Sequence, residues 1–243
     1  MRIVRVRTTA GIRHARLDGE RLQPIEDPYT AFAAGRVPRD AGEAITGAVL
    51  APCDPRVLIG IAQNGPGHDS PVQAWLKSPR TVVADGAPVR LRRDAGTTVA
   101  EGEIAVVIGR DTDGLTAGTA HDYVLGVTAV NDLSSPERGE WDPRNFESKS
   151  GAGYTPLGPW IDTEAGIDDV PLELSVDGAE PIATGSRDLL VPIRECLAYV
   201  TRWSPLGPGD VVMTGAPYAQ APVRPGARMT VRVAGMVLST PTR

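Results

Sequence analysis

Aromatic side chains are scarce in this 243-residue chain, at 5% of the total, so any core must be built from aliphatic residues. Cysteine occurs only at Cys53 and Cys196. The pair lacks metal-ligand spacing, and a reduced, cytoplasmic setting is the default, with a single disulfide left open. No apolar run approaches the ~18 residues of a membrane-spanning helix, so no membrane partner is expected. The N-terminus, MRIVRVRTTAG, has no apolar signal core and reads as a strand. Basic residues number 25 against 30 acidic ones, giving a formal net charge of −5. Without a dense Lys/Arg field, nucleic acid is not an expected partner.

What is abundant is the turn-forming pair, with Gly 27 and Pro 22. Spread along the chain, they predict many short strands joined by tight turns. Disorder is the competing reading, but Val/Ile/Leu runs recur between the turns and can supply a core. The length suits one sizeable core.

Residues 1–25 read as a β-meander, with a turn at Thr9–Gly11 and a hairpin signal at Asp18-Gly19. Residues 26–55 hold a weak helical stretch and Pro-rich connections. Longer apolar strands follow at 57–64, 103–109, 123–132, 170–178 and 210–217, with a closing pair over 228–241. One helix is marked by Pro192 near its start and by Ile193, Cys196, Leu197, Val200 and Trp203 at helical spacing. The expected organisation is a small N-terminal β subdomain and linker over residues 1–50, then a catalytic domain over 51–243.

Several segments carry chemistry. Glu101 and Glu103 flank a glycine at the start of IAVVIG, and residues two apart in a strand project to one side, roughly 6.5–7 Å apart. Such a pair can reach one cation, or can be two solvated glutamates on an edge strand. Asp132 follows the apolar run YVLGVTAV, where a carboxylate is either a ligand or a turn former. Lys149 and His68 lie in Gly-rich loops, where function and plain exposure are both open. His14 and His121 read as structural or surface residues.

Taken in order, these segments resemble the fumarylacetoacetate hydrolase family in its short form. NGPGH, WLKSP, EGEIAVVIGR, YVLGVTAVND, KSGAGYTPLGPW and LGPGDVVMTGAP are similar to six family motifs in register. NDLSSPERGEWDPRNF resembles the branch that isomerises or decarboxylates homoprotocatechuate-pathway intermediates. The resemblance implies a mixed-β, β-roll-like core with few helices, and a homodimer. It implies Glu101, Glu103 and Asp132 as metal ligands, Lys149 as the stabiliser of an enolate, and His68 as a general base on a lid. Asn64, Thr214 and Gly215 would form the substrate side.

Three carboxylates without His or Cys favour Mg²⁺ or Mn²⁺ over Zn²⁺. The expected function is therefore a metal-dependent enzyme acting on a 2-oxo acid or β-dicarbonyl through an enolate, by decarboxylation, isomerisation or C–C bond hydrolysis. Alternatives are a hydratase or cyclase on a larger substrate, or a non-catalytic ligand-binding relative. Pro71 stands where many members carry the glutamate that orients the lid histidine, Ala216 replaces a threonine, and the aspartate expected after Lys149 is missing from SGAG. The first departure lowers hydrolysis and raises decarboxylation or isomerisation; the other two suggest a substrate different from the common ones or a lid that closes differently.

Overall fold

A computed structural model describes residues 1–68 and 72–243. The N-terminal meander forms as read, with β1 (Arg2–Thr8), β2 (Gly11–Asp18) and β3 (Arg21–Pro24) paired in sequence order. The weak helical stretch becomes α1 (Pro28–Ala33), where Asp27 caps by accepting the Thr30 N–H at 2.7 Å. There follow β4 (Ala48–Leu50), β5 (Leu58–Ala62), β6 (Gln73–Lys77), β7 (Val82–Val83), β8 (Thr98–Ile108) and β9 (Val124–Asn131). Two short helices, α2 (Pro136–Gly139) and α3 (Phe146–Lys149), precede β10 (Thr155–Asp162), β11 (Pro171–Val176) and β12 (Ile182–Gly185). The chain closes with α4 (Ile193–Trp203), β13 (Val211–Met213), β14 (Gln220–Val223), β15 (Arg228–Val233) and β16 (Met236–Pro241).

The main sheet runs β3-β2-β1-β10-β9-β8-β13-β5-β6, and a smaller sheet runs β12-β11-β15-β16. The N-terminal meander is thus continuous with the main sheet through the β1–β10 pairing. Pairing is mixed: β13 lies parallel to β5 and antiparallel to β8. Few residues are helical, as expected from the turn-rich composition.

Strand β8 organises the core. Its even-numbered residues Ala100, Ile104, Val106 and Ile108 face the cluster shared with the small sheet, while Ala105 and Val107 face a second cluster with Leu58, Val130 and Met213. Gly102 sits on the even face because the sheets approach closely there: an added Cβ would lie 3.2 Å from Leu174 Cβ. Glu101 and Glu103 share the odd face, at the end where its apolar packing stops.

The strand begins earlier than read. β8 starts at Thr98, so the two glutamates lie within it and not at its opening, and β14 pairs with their half of the strand. In α4, Ile193, Cys196, Leu197 and Val200 are buried as expected, but Trp203 is 76% exposed. At ~100° per residue, Trp203 falls on the margin of the apolar stripe, and it lies in the last turn. Both cysteines are free and buried, in different clusters, which closes the disulfide option. Burial, as the largest cause, pushes each thiol up to about 12. Among the described residues no helix is long and apolar enough to cross a membrane.

Candidate active site

Glu101, Glu103 and Asp132 meet at one point, each offering a carboxylate oxygen within 4.8 Å of the others'. Local register explains the meeting. Glu101 and Glu103 project to one side of β8, and the β8–β9 ladder pairs Gly102 with Asn131. One residue further along, the Asp132 N–H donates to the Glu101 carbonyl at 2.8 Å. Asn131 turns to the other face, where its Oδ1 accepts the Glu101 N–H at 3.1 Å and its amide nitrogen donates to Met229 Sδ.

Two ammonium groups enter the cluster. Lys149, the last residue of α3, places Nζ 2.8 Å from Glu101 Oε2 and 2.7 Å from Asp132 Oδ2. Its Nζ also lies 5.7 Å from the centre of the Trp75 ring. Lys77, at the end of β6, is fully buried; Nζ donates to Asp132 Oδ1 and, at 2.8 Å, to the Tyr154 carbonyl. Two more carboxylate oxygens have donors: Ser134 Oγ donates to Glu101 Oε1, and the Gly215 N–H to Glu103 Oε2 at 2.7 Å.

The charges are unevenly served. Burial would raise Asp132, but Lys149 and Lys77 overcome it and hold the group below its ordinary value. Burial opposes the Lys149 ammonium, yet Asp132, Glu101 and Glu103 together raise it above its ordinary value. Burial lowers Lys77. Glu103 has no ammonium in hydrogen-bond contact, and burial, followed by the Asp132 charge, pushes its carboxyl well above the ordinary range. Three acids against two ammonium groups, one acid lacking a cationic contact, make a donor set that a divalent cation fits.

The cluster lies in a cavity of about 200 Å³, whose wall also includes Asn64, His68, Trp75, Asn145, Gly215 and Gln220. His68 is exposed at the rim; Asp69 and Pro71, its sequence neighbours of interest, lie outside the described residues. Asn64 reaches the wall with its amide already engaged. Nδ2 donates to the Thr214 carbonyl at 2.9 Å and to the Val191 carbonyl at 3.1 Å, and Oδ1 accepts the Val191 N–H at 2.7 Å. Thr214, expected on the substrate side, is fully buried and is not part of the cavity wall; its hydroxyl donates to the Ile104 carbonyl at 2.9 Å. Gly215 needs to be glycine, since its φ is +99° and an added Cβ would lie 2.9 Å from Asn64 Cβ.

Sequence reasoning did not single out Lys77, Ser134, Trp75, Asn145 or Gln220. WLKSP contains Lys77, but only the β5–β6 pairing, with Gly60 beneath the Trp75 ring, carries that strand end to the acids. Asn145 has a φ of +59° immediately before α3, a local conformation that asparagine tolerates better than most residues. Beside the cavity, and sharing Ala62, Trp75 and Asn145 with it, runs a groove walled by Leu76, Pro143, Arg144 and Phe146.

Comparisons with known proteins agree with this architecture. Residues 56–240 match the family model for the fumarylacetoacetate (FAA) hydrolase C-terminal region, and residues 1–54 match that for the Rv2993c-like N-terminal region. Protein Rv2993c of Mycobacterium tuberculosis is 28% identical over 254 residues, spanning 97% of this chain and 95% of its own length. The crystal structure of 5-carboxymethyl-2-hydroxymuconate delta-isomerase from Mycobacterium smegmatis superposes with a TM-score of 0.91 at 28% identity, covering 100% of this chain and 99% of that one. A 2-hydroxyhepta-2,4-diene-1,7-dioate isomerase from Mycobacterium marinum gives 0.91 at 26% identity, covering 100% and 98%. With the family model spanning most of the sequence and the acids in place, the chain belongs to the fumarylacetoacetate hydrolase family of enzymes.

Proposed function

We propose that this enzyme uses one Mg²⁺ or Mn²⁺ ion, held by Glu101, Glu103 and Asp132, to act on a 2-oxo acid or β-dicarbonyl through an enolate. Isomerisation or decarboxylation is the favoured outcome. The observation that carries the reading is the convergence of three carboxylates and Lys149 on one cavity. A hard cation bound there supplies a Lewis acid and a chelation point for the carboxylate and keto oxygens of such a substrate.

The residues supply the rest. Lys149 lies against Asp132 and Glu101, whose charges, with that of Glu103, raise it above its ordinary value. Its role in this reading is a fixed positive charge beside the oxygen on which enolate charge develops. His68 at the rim is the proton carrier. In isomerisation it removes a proton from the carbon next to the keto group, and a proton returns further along the chain, so no co-reactant is consumed. In decarboxylation the C–C bond to CO₂ breaks, its electron pair passes into the enolate, and a proton is delivered to the carbon left behind. Asn64 and Gly215 shape the wall.

Two relatives similar over their whole length are described as isomerases, which supports that reaction class. The adjoining groove, with Trp75 and Phe146 on its walls and Arg144 at its edge, favours a chain longer than three or four carbons. Assembly as a homodimer belongs to the same reading. Leu76 and Trp203, exposed by 69% and 76%, line one groove of the surface and offer an apolar face to a second copy. The free, buried thiols accord with a cytoplasmic setting.

The test is a panel of 2-oxo acids and β-dicarbonyls assayed after chelation and after Mg²⁺ or Mn²⁺ is restored, with products identified by NMR. Turnover that chelation abolishes and the ion restores is expected. Activity indifferent to chelation, or none on any member of the panel, would count against the proposal.

A further inference from the structure

Apart from the Lys149 contacts to Asp132 Oδ2 and Glu101 Oε2, each acid in the cleft has one oxygen held by a further donor built into the fold. Asp132 Oδ1 accepts from Lys77, Glu101 Oε1 from the Ser134 hydroxyl, and Glu103 Oε2 from the Gly215 N–H at 2.7 Å. The donors come from three separate places: the end of β6, the segment after β9 and the glycine turn after β13. Lys77 has no exposed side-chain surface, and Ser134 is 3% exposed. A buried ammonium carries a heavy desolvation penalty, and Lys77 meets it with two acceptors, one of which is Asp132.

We infer that Lys77, Ser134 and the Gly215 N–H are positioning groups that hold the three carboxylates as single-oxygen ligands and so select a small octahedral cation against Ca²⁺. The inference rests on the proposed cation site. Ca²⁺ takes 6–8 oxygens and commonly claims both oxygens of a carboxylate, whereas Mg²⁺ keeps six ligands, several of them water. With those oxygens engaged, each acid keeps one oxygen for the ion: Glu103 Oε1, and Asp132 Oδ2 and Glu101 Oε2, which the ion would share with or take over from Lys149 Nζ. The other positions of an octahedron remain for water or for the two oxygens of a chelating substrate. Freeing Asp132 Oδ1 or Glu101 Oε1 would allow two-oxygen binding and relax the preference.

Titration calorimetry of chelator-treated protein with Mg²⁺, Mn²⁺ and Ca²⁺ tests this in the wild type, Lys77→Met and Ser134→Ala. The wild type should bind Mg²⁺ and Mn²⁺ more tightly than Ca²⁺. Each variant should shift the ratio of Ca²⁺ to Mg²⁺ dissociation constants towards Ca²⁺ by about tenfold, the scale of outer-partner effects at metal sites. Lys77→Arg, which keeps a cationic donor, should stay near the wild-type ratio. Ser134→Ala deletes a single oxygen and keeps the inference testable should Lys77→Met fail to fold. A wild type that binds Ca²⁺ as tightly as Mg²⁺, or a folded variant with an unchanged ratio, overturns the inference alone. A wild type that takes up no divalent cation overturns the cation site as well.

Discussion

Lys149 Nζ sits 2.7 Å from Asp132 Oδ2 at the mouth of a buried acidic cluster, joining the end of a short helix to the end of a core strand. That pairing makes the lysine a charge for the reaction and also a counter-charge for the acids. Replacing it separates the two parts. Lys149→Met should lower kcat by about 10²–10³, the range for losing one preorganised donor. Its Mn²⁺ affinity should equal or exceed that of the wild type, because the acids lose a competing cation. Steady-state kinetics beside calorimetry would measure both, and full activity in the variant would remove Lys149 from the mechanism.

The pH dependence of the metal-free protein follows from Glu103. Its carboxyl is raised above the ordinary value of 4.5 by burial and by the Asp132 charge. A raised acid contributes stability below its unfolded value, and that contribution is lost as pH rises through the folded value. Asp132, held low against burial by Lys149 and Lys77, has the opposite sign: its contribution is present at higher pH and is lost as pH falls through the lowered value. Glu103→Gln should therefore melt higher than the metal-free wild type at pH 8, with the difference shrinking towards pH 4, and it should bind Mn²⁺ poorly. Thermal melts across that range in chelator provide the measurement.

Gly215 joins the backbone to the acids. Gly215→Ala places a Cβ 2.9 Å from Asn64 Cβ at a φ of +99°. Strain of that kind costs on the order of 1–3 kcal/mol, and the melting temperature should fall by about 2–4 °C for each kcal/mol. Because the Gly215 N–H donates to Glu103, cation affinity should weaken as well. A variant that melts and binds like the wild type would mean that the turn relaxes without strain.

Arg144, at the edge of the groove beside the cavity, has an exposed side chain; its charge acts on Asp142, and it makes no close ion pair among the described residues. If the substrate chain follows the groove past Trp75, Arg144 meets a distal anionic group. Arg144→Gln should raise KM about tenfold for 2-oxo acids ending in a second carboxylate and leave neutral-ended analogues unchanged. An equal change for both would assign the residue elsewhere.

The face formed by Leu76 and Trp203 gives a separate test. If it joins two copies, the double variant Leu76→Glu with Trp203→Glu should sediment as a monomer where the wild type sediments as a dimer. Analytical ultracentrifugation reads the result directly.

Much of this site was legible in the sequence because its parts are local. Alternation within a strand put Glu101 and Glu103 on one side; Asp132, at the end of an apolar run, could equally have formed a turn, and the order of the motifs in the resemblance singled it out. The earlier start of β8 was hidden because Thr98, Ala100 and Gly102 form no apolar run; they become strand through β14, more than a hundred residues away. Lys77 looked like an ordinary charged residue at a strand end, since its partners Asp132 and Tyr154 are 55 and 77 positions distant. Asn64 lines the cavity with its amide held by Val191 and the Thr214 carbonyl, whereas Thr214 is buried behind the wall with its hydroxyl on Ile104. Spacing reveals which side of an element a residue takes; it does not reveal which distant backbone will claim its hydrogen bonds.

Anomalous diffraction from crystals of the protein soaked in Mn²⁺ would show whether Glu101, Glu103 and Asp132 gather around one cation. A single strong peak is expected within about 2.0–2.6 Å of one oxygen from each of the three acids. A Mn²⁺ peak bound elsewhere, or no peak with the three carboxylates still clustered around Lys149 alone, would contradict a shared cation site.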